Sequence, residues 1–203
     1  MVIPAVSAQS RVSELEVSIL KTLETLAKEI RVCTACGLYE TRTQAVPGSG
    51  ADDAQIVFVG EAPGVQEDKR GLPFVGQAGK LLDQLLEGIG LDRDRVAILN
   101  VIKCRPPDNR PPRKGEVVAC RHFLDRQLEV IQPRLIVTLG RFSLAHFCPE
   151  AGITRVHGQV QRVDGRLIYP VYHPAAAFHR NAWRQALEED FERIPEILTS
   201  FQE

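Results

Sequence analysis

Ile56-Val57-Phe58-Val59-Gly60-Glu61-Ala62-Pro63-Gly64 opens with four consecutive apolar residues and closes in a glycine-bounded turn. A continuous apolar run of that length predicts a strand buried on both faces and ending at Gly60. After a polar stretch come Ala78, Leu81, Leu82, Leu85, Leu86 and Ile89, whose spacing predicts an amphipathic helix stopped by Gly90. The runs 96–102, 135–139 and 167–172 repeat the buried-strand pattern, and Leu124, Leu128 and Ile131 supply the helix between the second and third. This alternation predicts an α/β fold, a three-layer α/β/α sandwich around a central, mainly parallel four-stranded sheet. Ligands of such a sheet bind beyond the carboxyl ends of its strands.

Upstream, Val12, Leu15, Leu20, Leu23, Leu26, Ala27 and Ile30 predict a helix that ends near Cys33, and residues 43–53 read as a loop. Residues 1–10 read as a disordered N-terminus. Downstream, a final helix is expected over about 181–201. Residues 11–203 then form a single domain, of a size that buries one substantial core.

The 25 Lys and Arg balance 26 Asp and Glu, so any surface that attracts nucleic acid must be local. No stretch approaches the roughly 20 apolar residues of a membrane span, and the first residues lack a secretory pattern. A cytoplasmic monomer with no membrane partner is therefore expected. Five cysteines without an export signal disfavour a disulfide framework.

Cys33-Thr-Ala-Cys36 puts two thiols within reach of one metal centre, and Cys104 and Cys120 supply two more. Four thiolates close either a tetrahedral zinc site or a [4Fe–4S] cluster, and spacing does not separate the two. Cys148 reads as a small buried apolar residue.

Other candidates collect at the strand ends. The Gly60–Gly64 turn exposes backbone N–H groups and carries Glu61 and Ala62; it is no triphosphate loop, because Gly79-Lys80 is followed by Leu81. Asn100 closes the second strand, and a held carboxamide accepts from uracil N3–H while donating to O4, a pattern that cytosine reverses. Phe74, in Gly71-Leu-Pro-Phe-Val-Gly76, can cover a base. His173 ends the last strand before Pro174. The expected topology brings Glu61, Asn100 and His173 to one edge, with Arg105, Arg110, Arg113, Lys114, Arg180 and Arg184 as a phosphate-binding rim.

At these residues the chain resembles the type-4 uracil-DNA glycosylases of the uracil-DNA glycosylase superfamily. The resemblance runs from about Cys33 to the C-terminal helix. It rests on Gly60-Glu-Ala-Pro-Gly64 with Glu67-Asp68, Gly71-Leu-Pro-Phe-Val-Gly76, Asn100-Val-Ile-Lys-Cys-Arg-Pro-Pro107, Cys120 and His173-Pro174. It implies a structural [4Fe–4S] cluster on Cys33, Cys36, Cys104 and Cys120. It also implies uracil contacts from Gly60, Glu61 and Ala62, stacking by Phe74, and hydrogen bonds from Asn100 and His173 to the base.

The implied partner is uracil-containing DNA, single- or double-stranded, and a protein so engaged is nucleoid-associated when acting. Type-1 enzymes carry Asp where this chain has Ala62, so their water-activating role does not transfer. Covalent-trapping relatives place a histidine-bearing loop after the second strand, where Asn109 and Arg110 stand here, which favours turnover by hydrolysis.

Breaking an N-glycosidic bond builds positive charge on the sugar and negative charge on the departing base. His173 is assigned to donate to uracil O2 as that charge develops. Glu61 is assigned to orient water or to counter the sugar's charge, with Glu67 or Asp68 as alternatives. The competing readings are a metal-stapled, non-catalytic nucleic-acid-binding module, which needs neither Asn100 nor His173, and an iron–sulfur electron carrier, which leaves the strand-end groups unused.

Overall fold

The computed structural model describes residues 22–200; the segment expected to be disordered, 1–10, and the start of the first predicted helix lie outside the described residues. A six-stranded sheet runs β1 (Ser49–Gly50), β3 (Ala97–Asn100), β2 (Ile56–Gly60), β4 (Leu135–Leu139), β6 (Arg166–Val171), β5 (Gln161–Val163) in spatial order. Its four central strands are parallel, as the buried apolar runs predict.

The two additional strands are short antiparallel edges. The hairpin of β5 and β6 turns at Asp164-Gly165, both with positive φ, the pairing that suits a two-residue turn. β1 lies inside the expected 43–53 loop, and Gly50 is required there because a Cβ would stand 1.9 Å from Val96 O.

Alternate residues of each central strand face opposite layers. Ile56, Phe58, Ile98 and Val137 pack with α3 (Gln77–Gly88) and α7 (Asn181–Glu192) through Leu82, Leu86, Leu187 and Phe191. Val57, Val59, Leu99 and Ile136 pack with α1 (Leu23–Val32) and α4 (Lys114–Ile131) through Ile30, Phe123, Leu124 and Leu128. Three layers follow from that two-sided burial.

Two expected boundaries move. The predicted 96–102 strand ends at Asn100, and the N–H groups of Val101 and Ile102 instead donate to Gly60 O and Glu61 O. This continuation ties the exits of β3 and β2 together. The final helix is broken at Arg193 into α7 and α8 (Ile194–Ser200), where Pro195 has no N–H to carry one helix through. Three shorter helices, α2 (Val65–Arg70), α5 (Arg141–Phe147) and α6 (Ile153–Val156), complete the elements used below. Among the described residues, no helix is long and apolar enough to cross a membrane.

Candidate active site and cysteine pocket

The carboxyl ends of β2, β3, β4 and β6 open into one cleft of about 680 Å³. Glu61, Ala62, Phe74, Asn100 and His173 all line it. Gly60 is the Cα partner of Asn100, and it leaves room for two groups at once. A Cβ there would stand 2.4 Å from Asn100 Oδ1 and 2.7 Å from the Phe74 ring. Glycine is thus imposed by the approach of the carboxamide and the ring.

Asn100 is 2% exposed, and its Oδ1 is one of two buried side-chain polar atoms among the described residues that have no hydrogen-bond partner. A buried acceptor left unpaired is costly unless a ligand supplies the donor. Phe74 is held at φ +49°, a conformation uncommon for an aromatic residue. Its loop is fixed from two sides. Glu67 Oε1 accepts from Val75 N at 2.8 Å and Gly76 N at 2.9 Å, and Arg93 donates to Pro73 O. On α3, a Cβ at Gly79 would overlap Phe74 O at 1.9 Å, so the helix abuts the loop backbone.

Facing Phe74, the His173 ring lies 5.7 Å away between centroids, with the planes 28° apart. Ala175 N–H donates to His173 Nδ1 at 3.1 Å. Desolvation pushes the imidazole down to about 4, against the pull of Glu67, so the ring is neutral at physiological pH. With Nδ1 accepting, the ring proton resides on Nε2. Gly140, at φ +91°, brings the end of β4 against His173, where a Cβ would stand 2.9 Å from that of the histidine.

Glu61 is half-buried, and desolvation raises its carboxyl against the opposing influence of Arg141. Glu67 also lines the cleft, with Oε1 already committed to two N–H groups. Asp68 is buried elsewhere, both oxygens accepting from Thr43 N.

Of the six basic residues expected at the rim, Arg110 alone lines the cleft, with its guanidinium forked onto Glu116 at 2.6 and 2.9 Å. Arg105 donates to Asn109 and Arg184 pairs with Glu188. Arg180 stacks over Trp183, which in turn stacks on Tyr172 beside His173. Sequence reasoning missed Arg141, although it follows the apolar run of β4 and a glycine, the same signal that marked Gly60.

A second pocket lies behind the strand ends. Cys33 caps α1, Cys36 begins a 3₁₀ turn, Cys104 follows β3 and Cys120 lies on α4, and all four thiols line it. Three N–H groups reach their sulfurs: Arg42 to Cys104 at 3.1 Å, Lys103 N to Cys120 at 3.3 Å, and Ala35 N to Cys33 at 3.5 Å. Burial raises the Cys104 thiol and pushes Cys120 up to about 11, against the pull of Arg42 and Lys103 respectively. Among the described residues, no three His, Cys, Asp or Glu side chains gather at the spacing that would hold a metal ion. Cys148 is half-buried rather than buried and takes no part in this pocket, because it terminates the short helix α5 near the surface.

Between the two pockets, Lys103 is buried, with Nζ donating to Asn100 O at 2.8 Å and Gln127 Oε1 at 2.6 Å. Burial pushes its ammonium down to about 8. Sequence gave no sign of this pair, since a lysine near a strand end ordinarily reaches solvent.

Residues 47–194 match the family described as the uracil DNA glycosylase superfamily. A type-4 uracil-DNA glycosylase of Sulfurisphaera tokodaii is 48% identical over 88% of this chain and 86% of its own length. One from Archaeoglobus fulgidus is 47% identical over 88% of this chain and 94% of its own length. One from Thermotoga maritima is 44% identical over 87% and 94%.

Proposed function

The chain belongs to the uracil DNA glycosylase superfamily, in its type-4 branch, and on that footing we propose that the strand-end cleft holds a uracil turned out of DNA while its bond to the sugar is hydrolysed. The protein is a uracil-excising DNA repair glycosylase. The observation that carries the assignment of the cleft is the unpartnered Oδ1 of Asn100, buried beside Gly60 and Phe74. That oxygen accepts from uracil N3–H, while the amide nitrogen donates to O4; cytosine offers an acceptor at N3 and a donor at C4, and both contacts fail.

Phe74 stacks on the base, and the absence of a Cβ at Gly60 admits it beside the carboxamide. Neutral His173 donates from Nε2 to O2 as negative charge builds there, so the contact strengthens along the reaction. Glu61, with a carboxyl raised by burial, orients the attacking water or faces the sugar's developing positive charge. The commitments of Glu67 and Asp68 to backbone N–H groups favour Glu61 over either of them.

The four cysteines fit a [4Fe–4S] cluster: four thiols share one pocket and three N–H groups point at their sulfurs. When bound, the cluster serves as a staple joining α1, the exit of β3 and α4. Both pockets are built on one sheet, which supports a single domain. Arg110 and Arg141, which line the cleft, and Arg180 at the end of its aromatic stack are the rim cations placed for phosphates.

The test is base release from oligonucleotides that differ only in one uracil, cytosine or thymine. Free uracil and an abasic strand are expected from the first alone. DNA binding without release, by iron-replete protein, would leave the non-catalytic binding module as the better reading.

A further inference from the structure

We propose that Lys103 is a positioning residue for base selection, setting the aim of the Asn100 carboxamide from behind. The inference rests on the uracil-excising reading of the cleft. Asn100 Oδ1 has no hydrogen-bond partner in the protein, so its direction is set by the backbone from which the side chain hangs. That backbone is the last residue of β3, beyond which the N–H groups of Val101 and Ile102 still bond to the exit of β2.

Past this point Lys103 folds back three residues and donates from Nζ to the Asn100 carbonyl at 2.8 Å. The same ammonium donates to Gln127 Oε1 at 2.6 Å, and Gln127 Nε2 donates to Pro47 O at 2.8 Å. Asn100 is thereby fixed to α4 and to the loop before β1 through three consecutive hydrogen bonds. All three side chains of this chain of contacts are buried, at 2%, 1% and 2% exposure for Asn100, Lys103 and Gln127.

A buried ammonium is expensive, and a well-packed apolar residue at such a position is often neutral or stabilising. Neutralising the thiolates does not account for the geometry. Lys103 reaches Cys120 Sγ through its backbone N–H, while its side-chain hydrogen bonds go to oxygens, Asn100 O and Gln127 Oε1, rather than to a sulfur. One residue therefore touches a cysteine sulfur with its backbone and the uracil-selecting asparagine with its side chain.

The experiment is a double-mutant cycle on full-length, iron-replete protein, combining Lys103→Met with Asn100→Ala. Readouts are single-turnover uracil release, affinity for uracil-free DNA, and iron content with the visible spectrum. Lys103→Met is expected to slow release from bound DNA by about 10- to 100-fold, the scale of a small misplacement of a reacting group, with DNA affinity and iron unchanged. In the Asn100→Ala background it is expected to cause no further loss, because its effect passes through the carboxamide. Equal slowing in both backgrounds overturns the proposal, as does an unaffected rate in the single variant.

Gln127→Leu provides a second cycle should Lys103→Met fail to retain iron. It removes the anchor of Lys103 without touching the cleft, and a smaller, Asn100-dependent loss is expected. Unaltered protein that binds DNA but releases no uracil would instead sink the functional reading, and this inference with it.

Discussion

The backbone N–H of Ala175 points at Nδ1 of His173 from 3.1 Å, and this one contact decides which ring nitrogen faces the cleft as a donor. With burial holding the ring down at about 4, the donor stays a neutral imidazole throughout the physiological range. The unfolded side chain titrates at about 6.5. His173 therefore leaves stability intact above pH 6.5 and erodes it as pH falls toward 4, where the unfolded chain takes up a proton that the folded one refuses. NMR of the His173 imidazole should show no titration between pH 8 and 5.5, and single-turnover release should show no break near 6.5. The acid limb below is shared with Glu61, whose carboxyl is raised by burial. A His173 midpoint near 6.5 would contradict the depression assigned to burial.

His173→Ala should reduce single-turnover release by a factor on the order of 10² to 10³, the usual result of removing a donor to a developing oxyanion. DNA affinity should change far less, since phosphate contacts supply most of it. Measuring both on the same variant separates the roles: collapsed affinity with a normal rate on bound DNA would make His173 a residue that merely seats the substrate.

Gly60→Ala adds a methyl group 2.4 Å from Asn100 Oδ1 and 2.7 Å from Phe74. Overpacking of this kind costs about 1–3 kcal/mol, so the protein should still fold, with a lower Tm. Uracil release should fall by about 10²-fold because the carboxamide and ring are displaced together. Near-native turnover would mean that the base does not sit against this strand end.

Purified protein should carry about four irons. Because metal binding is coupled to folding, Cys104→Ala should lower iron content and Tm before any direct effect on the cleft. Stoichiometric zinc and no iron in protein prepared anaerobically would remove the cluster assignment. A fully metallated Cys104→Ala variant would exclude that residue as a ligand.

Central strands and facing helices were legible because each strand is covered on both sides and so reads as an uninterrupted apolar run. The edges were less so. β1 has two residues and no pattern, whereas the edge hairpin carries a usable turn signal in Asp164-Gly165. Pro195 likewise marked the break in the last helix. Asn100 and His173 stood out because they terminate apolar runs, and the topology then brought them into one cleft. The rim was harder to read. Asp108 and Asn109 both have positive φ, in the turn that precedes Arg110, which lines the cleft. Lys103 and Gln127 are 24 residues apart, and only the packing of α4 behind β3 joins them.

Asn100 ends β3 and His173 follows the end of β6 by two residues, with β2 and β4 lying between the two strands. Neighbouring strands are spaced by their hydrogen bonds at about 4.8 Å, so the two jaws are mounted about 14 Å apart on a rigid rule. The gauge of the pocket is consequently quantised: stretching it in the plane of the sheet means adding a strand, while fine adjustment is left to side-chain length. Acceptance of a larger base must then come from shortening the side chains that meet its edges, and a drift of the backbone offers no gradual route to it.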